Sequence, residues 1–133
     1  MSVEANKKIV VDHFDLMGRG LYLEALVDFA DDMLWWVAGS DAHGGSNSKQ
    51  QLIDAYANQL PSYFPNGFQQ TIDFMFGEGD WVVAFGRNET ECSGVGQRYS
   101  NEFAWIFQIK EGKVVMLREY FDTAHARTAL FGK

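Results

Sequence analysis

The sequence predicts an α+β fold, with N-terminal helices packed on one face of a curved, mainly antiparallel sheet. Two patterns carry that expectation: helical apolar periodicity fills the first half of the chain, and strand-like runs with short Gly-containing connectors fill the second. Length is the third observation. At 133 residues the chain makes one domain, 1–133, with room for a real core and too little for two.

Taken in order, Val3–Met17 puts Ile9, Val10, His13, Phe14 and Met17 on one helical stripe, and Gly18-Arg19-Gly20 breaks it. A second helix is expected at about Leu21–Ala30, with Leu23, Leu26, Val27 and Ala30 on one side and Asp31-Asp32 at its end. Met33–Val37 reads as a short buried strand and Gly39–Asn47 as a polar, glycine-rich loop. Ser48 and Gln51 have capping-box spacing and open a helix carrying Leu52, Ile53, Tyr56 and Leu60. Pro61 and then Pro65-Asn66-Gly67 are expected to close it.

Four strand-like runs come next: Phe68–Phe76, Trp81–Glu91, Gln97–Lys110 and Lys113–Phe121, the last two joined at Lys110-Glu111-Gly112-Lys113. Asp122 or Thr123 then caps a short helix that stops near Gly132.

Composition narrows the function classes. Eleven basic against eighteen acidic residues give a net charge of −7, a field that repels nucleic acid and anionic membrane surfaces. No run has the length of a membrane span, and the first residues lack a signal-peptide core, so a cytoplasmic location is expected. The single cysteine, Cys92, cannot form an intramolecular disulfide, and no Cys/His spacing suggests a metal. Asp41 lies in a loop with no second nearby ligand of clear geometry, so a metal site has little support. No cofactor is expected. Aromatic residues make up 15% of the chain, which suits an apolar cavity, a subunit interface, or both.

Strand parity sharpens this. Val82, Ala84, Gly86, Asn88 and Thr90 share one face, and Phe103, Trp105, Phe107 and Ile109 share another run's face. Phe85, Ile106, Met116 and Tyr120 leave apolar area on the side the helices cannot cover, so a homodimer through the outer sheet face is expected. Glu119 alternates with Val115, Leu117 and Phe121, which places a carboxylate on an apolar face.

Burying an unpaired carboxylate is expensive, so Glu119 has either a partner or a task. Desolvation would raise its pKa and suit it to proton transfer near neutral pH; otherwise it is a buried acid held by neighbouring hydrogen bonds. His13 is either a core histidine with one satisfied ring nitrogen or a partner to Glu119 across a cavity. Asn88 and Asn101 have inward parity and would donate to a ligand or satisfy backbone groups. Trp35, Tyr56, Tyr63, Phe64, Phe74, Trp105 and Phe121 are candidates for pocket wall or for ordinary core. His43 sits in the glycine loop as a gate or a solvated residue, and His125 is expected at the surface.

Phe29-Ala30-Asp31-Asp32, Gly112-Lys113-Val114-Val115 and Leu117-Arg118-Glu119-Tyr120-Phe121-Asp122-Thr123, together with the element order, resemble the SnoaL-like and ketosteroid-isomerase-like group of the nuclear-transport-factor-two-like superfamily. The resemblance covers nearly the whole chain. It implies a cone-shaped fold with a deep apolar pocket, commonly in a dimer. The ketosteroid-isomerase base position matches Val37, its tyrosine His13, and its second acid falls near Trp105, so steroid-type isomerisation is disfavoured. The final hairpin is similar to limonene-epoxide hydrolases. Their Arg falls on Gly86, their first Asp on Asn88 and their last Asp on Glu119, with Arg87 one residue off and facing away.

These observations set two expectations. One is a small-molecule-binding protein that acts by proton transfer (isomerase, cyclase or hydratase) on an apolar metabolite, with Glu119 as acid/base and His13 assisting. The other is a non-catalytic binding or carrier protein of the same fold.

Overall fold

The computed structural model describes residues 2–41 and 43–131. Helix α1 (Val3–Gly18) starts where the Ser2 hydroxyl accepts from the Ala5 N–H, and it buries Val10, His13, Phe14 and Met17. The second helix expected over Leu21–Ala30 is corrected by the structure. Only a single 3₁₀ turn, Glu24–Leu26, forms there, and Leu23 and Val27 face solvent. The Asp28 carbonyl accepts from Val114 N–H at 2.7 Å, which draws the chain into the sheet from Phe29 onward. Strand β1 therefore spans Phe29–Val37, with Asp31 and Asp32 exposed at an irregularity inside it rather than at a helix end.

The polar loop is shorter than expected. Gly45–Ser48 is strand β2, paired antiparallel to β1 with Asn47 opposite Trp35. Ser48 and Gln51 then close the full capping box at the start of α2 (Lys49–Asp54). The helix does not stop before Pro61. It widens into a π-turn at Ala55–Gln59 and continues as α3 (Leu60–Tyr63), with Pro61 in the first turn of α3, where its missing N–H is harmless.

Strands β3 (Gln70–Glu78), β4 (Trp81–Thr90), β5 (Tyr99–Lys110) and β6 (Lys113–Phe121) complete a six-stranded sheet ordered β2-β1-β6-β5-β4-β3. All neighbours are antiparallel except β1 and β6, which run parallel. The β5–β6 turn places Glu111 and Gly112 both at positive φ, the geometry of a two-residue hairpin that matches strand twist. Helix α4 (Thr123–Ala129) is capped by the Asp122 carboxylate accepting from His125 N–H. The expected stop near Gly132 lies outside the described residues.

Helix α1 packs against β3 and β4, α2 against β1, and α4 against β5, so one sheet face holds the core. Two irregularities decide which side chains reach it. Register shifts between Ile72 and Phe74, so Phe74, read as a pocket-wall candidate, sits 62% exposed on the outer face opposite Phe85. In β6 the shift between Gln108 and Ile109 buries Val114 in place of Val115, and Leu117 and Glu119 keep the inward parity.

Gly86 marks a close approach between β4 and β3. A Cβ there would overlap the Thr71 carbonyl oxygen and crowd the Phe103 ring at 3.1 Å. Gly86→Ala is accordingly expected to lower unfolding free energy in urea by about 1–3 kcal/mol. A loss below ~0.5 kcal/mol would show that the two strands yield freely.

Candidate functional site

The core-side face of the sheet, together with α1, α4 and the α2–α3 segment, encloses a cavity of about 140 Å³. Trp35 and Val37 reach it from β1, Asn88 from β4, Asn101 and Trp105 from β5, and Phe121 from β6. Tyr56 and Tyr63 close it from the helical side. Of the ligand or wall candidates read from the sequence, Trp35, Tyr56, Tyr63, Phe64, Asn88, Asn101, Trp105 and Phe121 line this one space with Val37 and Glu119, and Phe74 does not.

Glu119 is the one carboxylic acid among the described residues lining that space. Its backbone neighbours across the sheet are Val37 on β1 and Trp105 on β5. The Trp35 indole N–H donates to Oε2 at 2.6 Å, and Oε1 has no hydrogen-bond partner among the described residues. The side chain keeps enough accessible surface (9% for the residue) to meet a ligand. Burial pushes its pKa from 4.5 up to about 8, against the Trp35 bond, which favours the charged form. Glu119 is therefore mostly a neutral acid at pH 7, with Oε1 the open position for giving or taking a proton.

His13 does not join it. Its Nδ1–H donates to the Ala25 carbonyl at 2.8 Å and its Nε2 lies 3.5 Å from the Tyr56 hydroxyl, a distance at the limit of a hydrogen bond. The ring is packed among Phe14, Phe29 and Phe107 behind the cavity wall. Burial lowers its pKa to about 4, only partly opposed by the Ala25 bond, so the imidazole is neutral. The expected His13–Glu119 pair is corrected: the histidine ties α1 to the 3₁₀ turn.

The two asparagines are largely committed to backbone. Asn88 donates to the Gln69 carbonyl at 2.7 Å. Asn101 donates to the Asp122 carbonyl and accepts from Asp122 N–H, both at 2.9 Å, fixing the start of α4. Asn101 also donates to the Tyr99 hydroxyl at 2.8 Å, which leaves the phenolic proton of Tyr99 available on the cavity wall. Burial, with the nearby Glu119 charge, raises the pKa of both Tyr99 and Tyr56, so both remain protonated.

Tyr99 is a wall residue that the sequence candidates omit, although it shares parity with Asn101, Phe103 and Trp105. His43 is more than a solvated loop residue. The loop returns over the cavity and sets the His43 ring 5.2 Å from Trp35, with the Gln59 amide 2.9 Å from Nε2. The Asn47 side chain holds that loop by donating to the carbonyls of His43, Gly45 and Trp35. His125, expected at the surface, is half-buried against Tyr99, and its Nε2 accepts from Ser100 N–H. Among the described residues no group of His, Cys, Asp and Glu is placed to hold a metal ion, and no helix is long and apolar enough to cross a membrane.

Comparison with known proteins agrees with this architecture. The SnoaL-like domain family matches residues 10–117. UPF0523 protein B of Dictyostelium discoideum is 32% identical over 95 residues, 66% of this chain; the match spans only 56% of that protein. An NTF2-like protein of unknown function from Burkholderia pseudomallei K96243 superposes with TM-score 0.78 at 19% identity over 98% of each chain. A limonene-epoxide-hydrolase-like epoxide hydrolase from M. tuberculosis superposes with TM-score 0.74 at 13% identity, over 98% of this chain and 92% of that one. At these identities the solved structures show the fold, an NTF2-like α+β arrangement.

The two buried titrating groups give opposite pH slopes to stability. Between pH 4.5 and about 8 the unfolded chain ionises Glu119 before the folded one does, so this group lowers stability as pH rises through that window. Between pH 6.5 and about 4 the unfolded chain protonates His13 first, so stability falls with falling pH. The slopes oppose one another between pH 4.5 and 6.5, and Glu119 acts without that opposition above it. Melting temperatures of Glu119→Gln should exceed wild type increasingly from pH 6.5 to 8; parallel curves would show an acid of ordinary pKa.

Proposed function

Because the chain belongs to the SnoaL-like domain family, we propose that it binds a small, largely apolar molecule in the 140 Å³ cavity and acts on it by proton transfer through Glu119. One observation carries this reading: a neutral acid, held on one oxygen by Trp35, presents its other oxygen to a space otherwise walled by rings and aliphatic groups. In the protonated state Oε1 donates to a ligand oxygen or carbon; after transfer, the Trp35 N–H steadies the carboxylate left behind. No step needs a cofactor. The reaction class is that of an isomerase, cyclase or hydratase.

Epoxide hydrolysis of the limonene-epoxide-hydrolase type is not supported by the residues present. Gly86 stands where the arginine would be and cannot carry a side chain without moving β3. Arg87 points outward and pairs with Asp73 at 2.6 Å. A carrier role is the second reading, favoured by the engagement of Asn88 and Asn101 with backbone and by the distance of His13 from the chemistry.

Glu119→Gln separates the two. Against a panel of small cyclic ketones, enones and hydroxy compounds, it should retain ligand binding and reduce turnover by at least about a hundredfold. Turnover unchanged in Glu119→Gln, or Glu119→Leu binding the same ligands with higher stability, would remove the carboxylate from function.

The outer face supports a homodimer as part of the same reading. Phe74, Phe85, Ala104 and Tyr120 form one row across four strands, and Phe76, Val83 and Ile106 run beside it toward Arg118 and Trp36. Phe76 is 60% exposed and stacks on Phe74. Sedimentation at micromolar concentration should give twice the chain mass, and Phe76→Glu should return it to a monomer. A monomeric wild type would contradict the assembly.

A further inference from the structure

The cavity wall has a marked sign and shape. Ten of its twenty-one lining residues are aromatic, and none is a lysine, arginine or aspartate. An anionic ligand would find no lysine or arginine among the described wall residues to pair with, inside a protein of net charge −7. The volume, about 140 Å³, matches the ~150 Å³ of an apolar cavity that admits benzene, so one six-membered ring with a short arm fills it. Around Glu119 the cavity is lined by Trp35, which bonds it, Trp105, its neighbour across the sheet, and Tyr56 and Tyr99, and the same wall carries Asn88 and His43. Tyr56 and Tyr99 hold their protons, and His13 behind Tyr56 is uncharged.

Resting on the reading of Glu119 as the working group of a small-molecule cavity, we infer that the ligand class is an amine on a single small ring, held as its cation between the Glu119 carboxylate and the surrounding aromatic rings. Trp35 N–H already donates to Oε2, so the carboxylate produced on binding is partly solvated in advance. Oε1, without a protein partner among the described residues, is the position for a charge-assisted N–H···O bond, which is about twice as strong as a neutral one. Ring faces add cation–π attraction that a neutral isostere does not receive. The proton balance is explicit: the ammonium enters charged, the Glu119 O–H bond breaks and that proton leaves to buffer, and in the complex the proton available for transfer is the ammonium N–H shared with Oε1.

Benzylamine, benzyl alcohol and benzoate are size-matched probes. Titration calorimetry at pH 7, in buffers of different ionisation enthalpy, is expected to show benzylamine binding at least about tenfold tighter than benzyl alcohol. Close to one proton should be released per benzylamine and none per alcohol, with benzoate weakest. Glu119→Gln should keep alcohol binding while losing both the amine preference and the proton release. Equal or tighter binding of the alcohol, or amine binding without proton release in the wild type, overturns the amine assignment and leaves the cavity reading standing. If none of the three binds, the small-molecule reading falls and takes this inference with it. If the variant does not fold, the wild-type preference for amine over alcohol decides the matter, because one proton is released whether the pair is bound as ammonium and carboxylate or as amine and acid.

Discussion

The hydrogen bond from Trp35 to Glu119 is the contact on which the rest of the site depends. Moving the acid from pKa 4.5 to about 8, with the Trp35 bond already acting to lower it, leaves a net penalty on the charged form on the order of 5 kcal/mol. One hydrogen bond to a charged group returns only about 1.5–3 kcal/mol. Desolvation therefore wins, and the acid is neutral at rest while its ionised form stays within reach of a ligand. Removing the indole N–H would push the pKa further up; a second donor would lower it by about one to two units. The single donor sets the acid between those limits.

That balance requires Trp35 and Glu119 to lie on adjacent strands with their side chains on the same face. The parallel pairing of β1 with β6 supplies this, putting Trp35 opposite Leu117 and Val37 opposite Glu119. Asn47 then clamps the Trp35 carbonyl and the neighbouring loop, and His43 packs on the indole. The same sheet, kinked at β3, turns Phe74 and Phe76 to the outside. Register irregularities thus divide the chain's many rings between a cavity wall and a surface patch.

Much of this is legible in the residues. The Lys113–Phe121 strand, the Ser48–Gln51 capping box and the inward parity of Asn88, Trp105 and Glu119 all derive from local pattern, because period-two alternation and cap chemistry act over a few residues. What the pattern does not show has a common cause. The bulges that export Phe74 and exchange Val114 for Val115 add one residue to one strand, and alternation alone cannot signal a change of phase. The segment Leu21–Ala30 has helical spacing, yet a backbone bond from Val114, far along the chain, commits Phe29 to the sheet. His43 and His13 escape sequence reasoning for the same reason: their partners, Gln59 and Ala25, are set by folding rather than by spacing.

The withdrawal of His13 constrains the chemistry that remains. With Nδ1 given to Ala25 and Nε2 turned to Tyr56, its ring offers no open position to the cavity. Hydrolysis by an activated water needs a base for the water and an acid for the leaving group, commonly two separate residues. A lone acid with one open oxygen is better matched to a reaction in which the proton it gives is returned by the same ligand, as when a double bond or hydroxyl shifts position. Tyr99, whose proton is free and whose pKa is raised by burial, complements this as a hydrogen-bond donor rather than a base. On the proposal that Glu119 acts on a bound ligand, one reversible acid beside one fixed donor suits the isomerase or cyclase form of that reading better than the hydratase form.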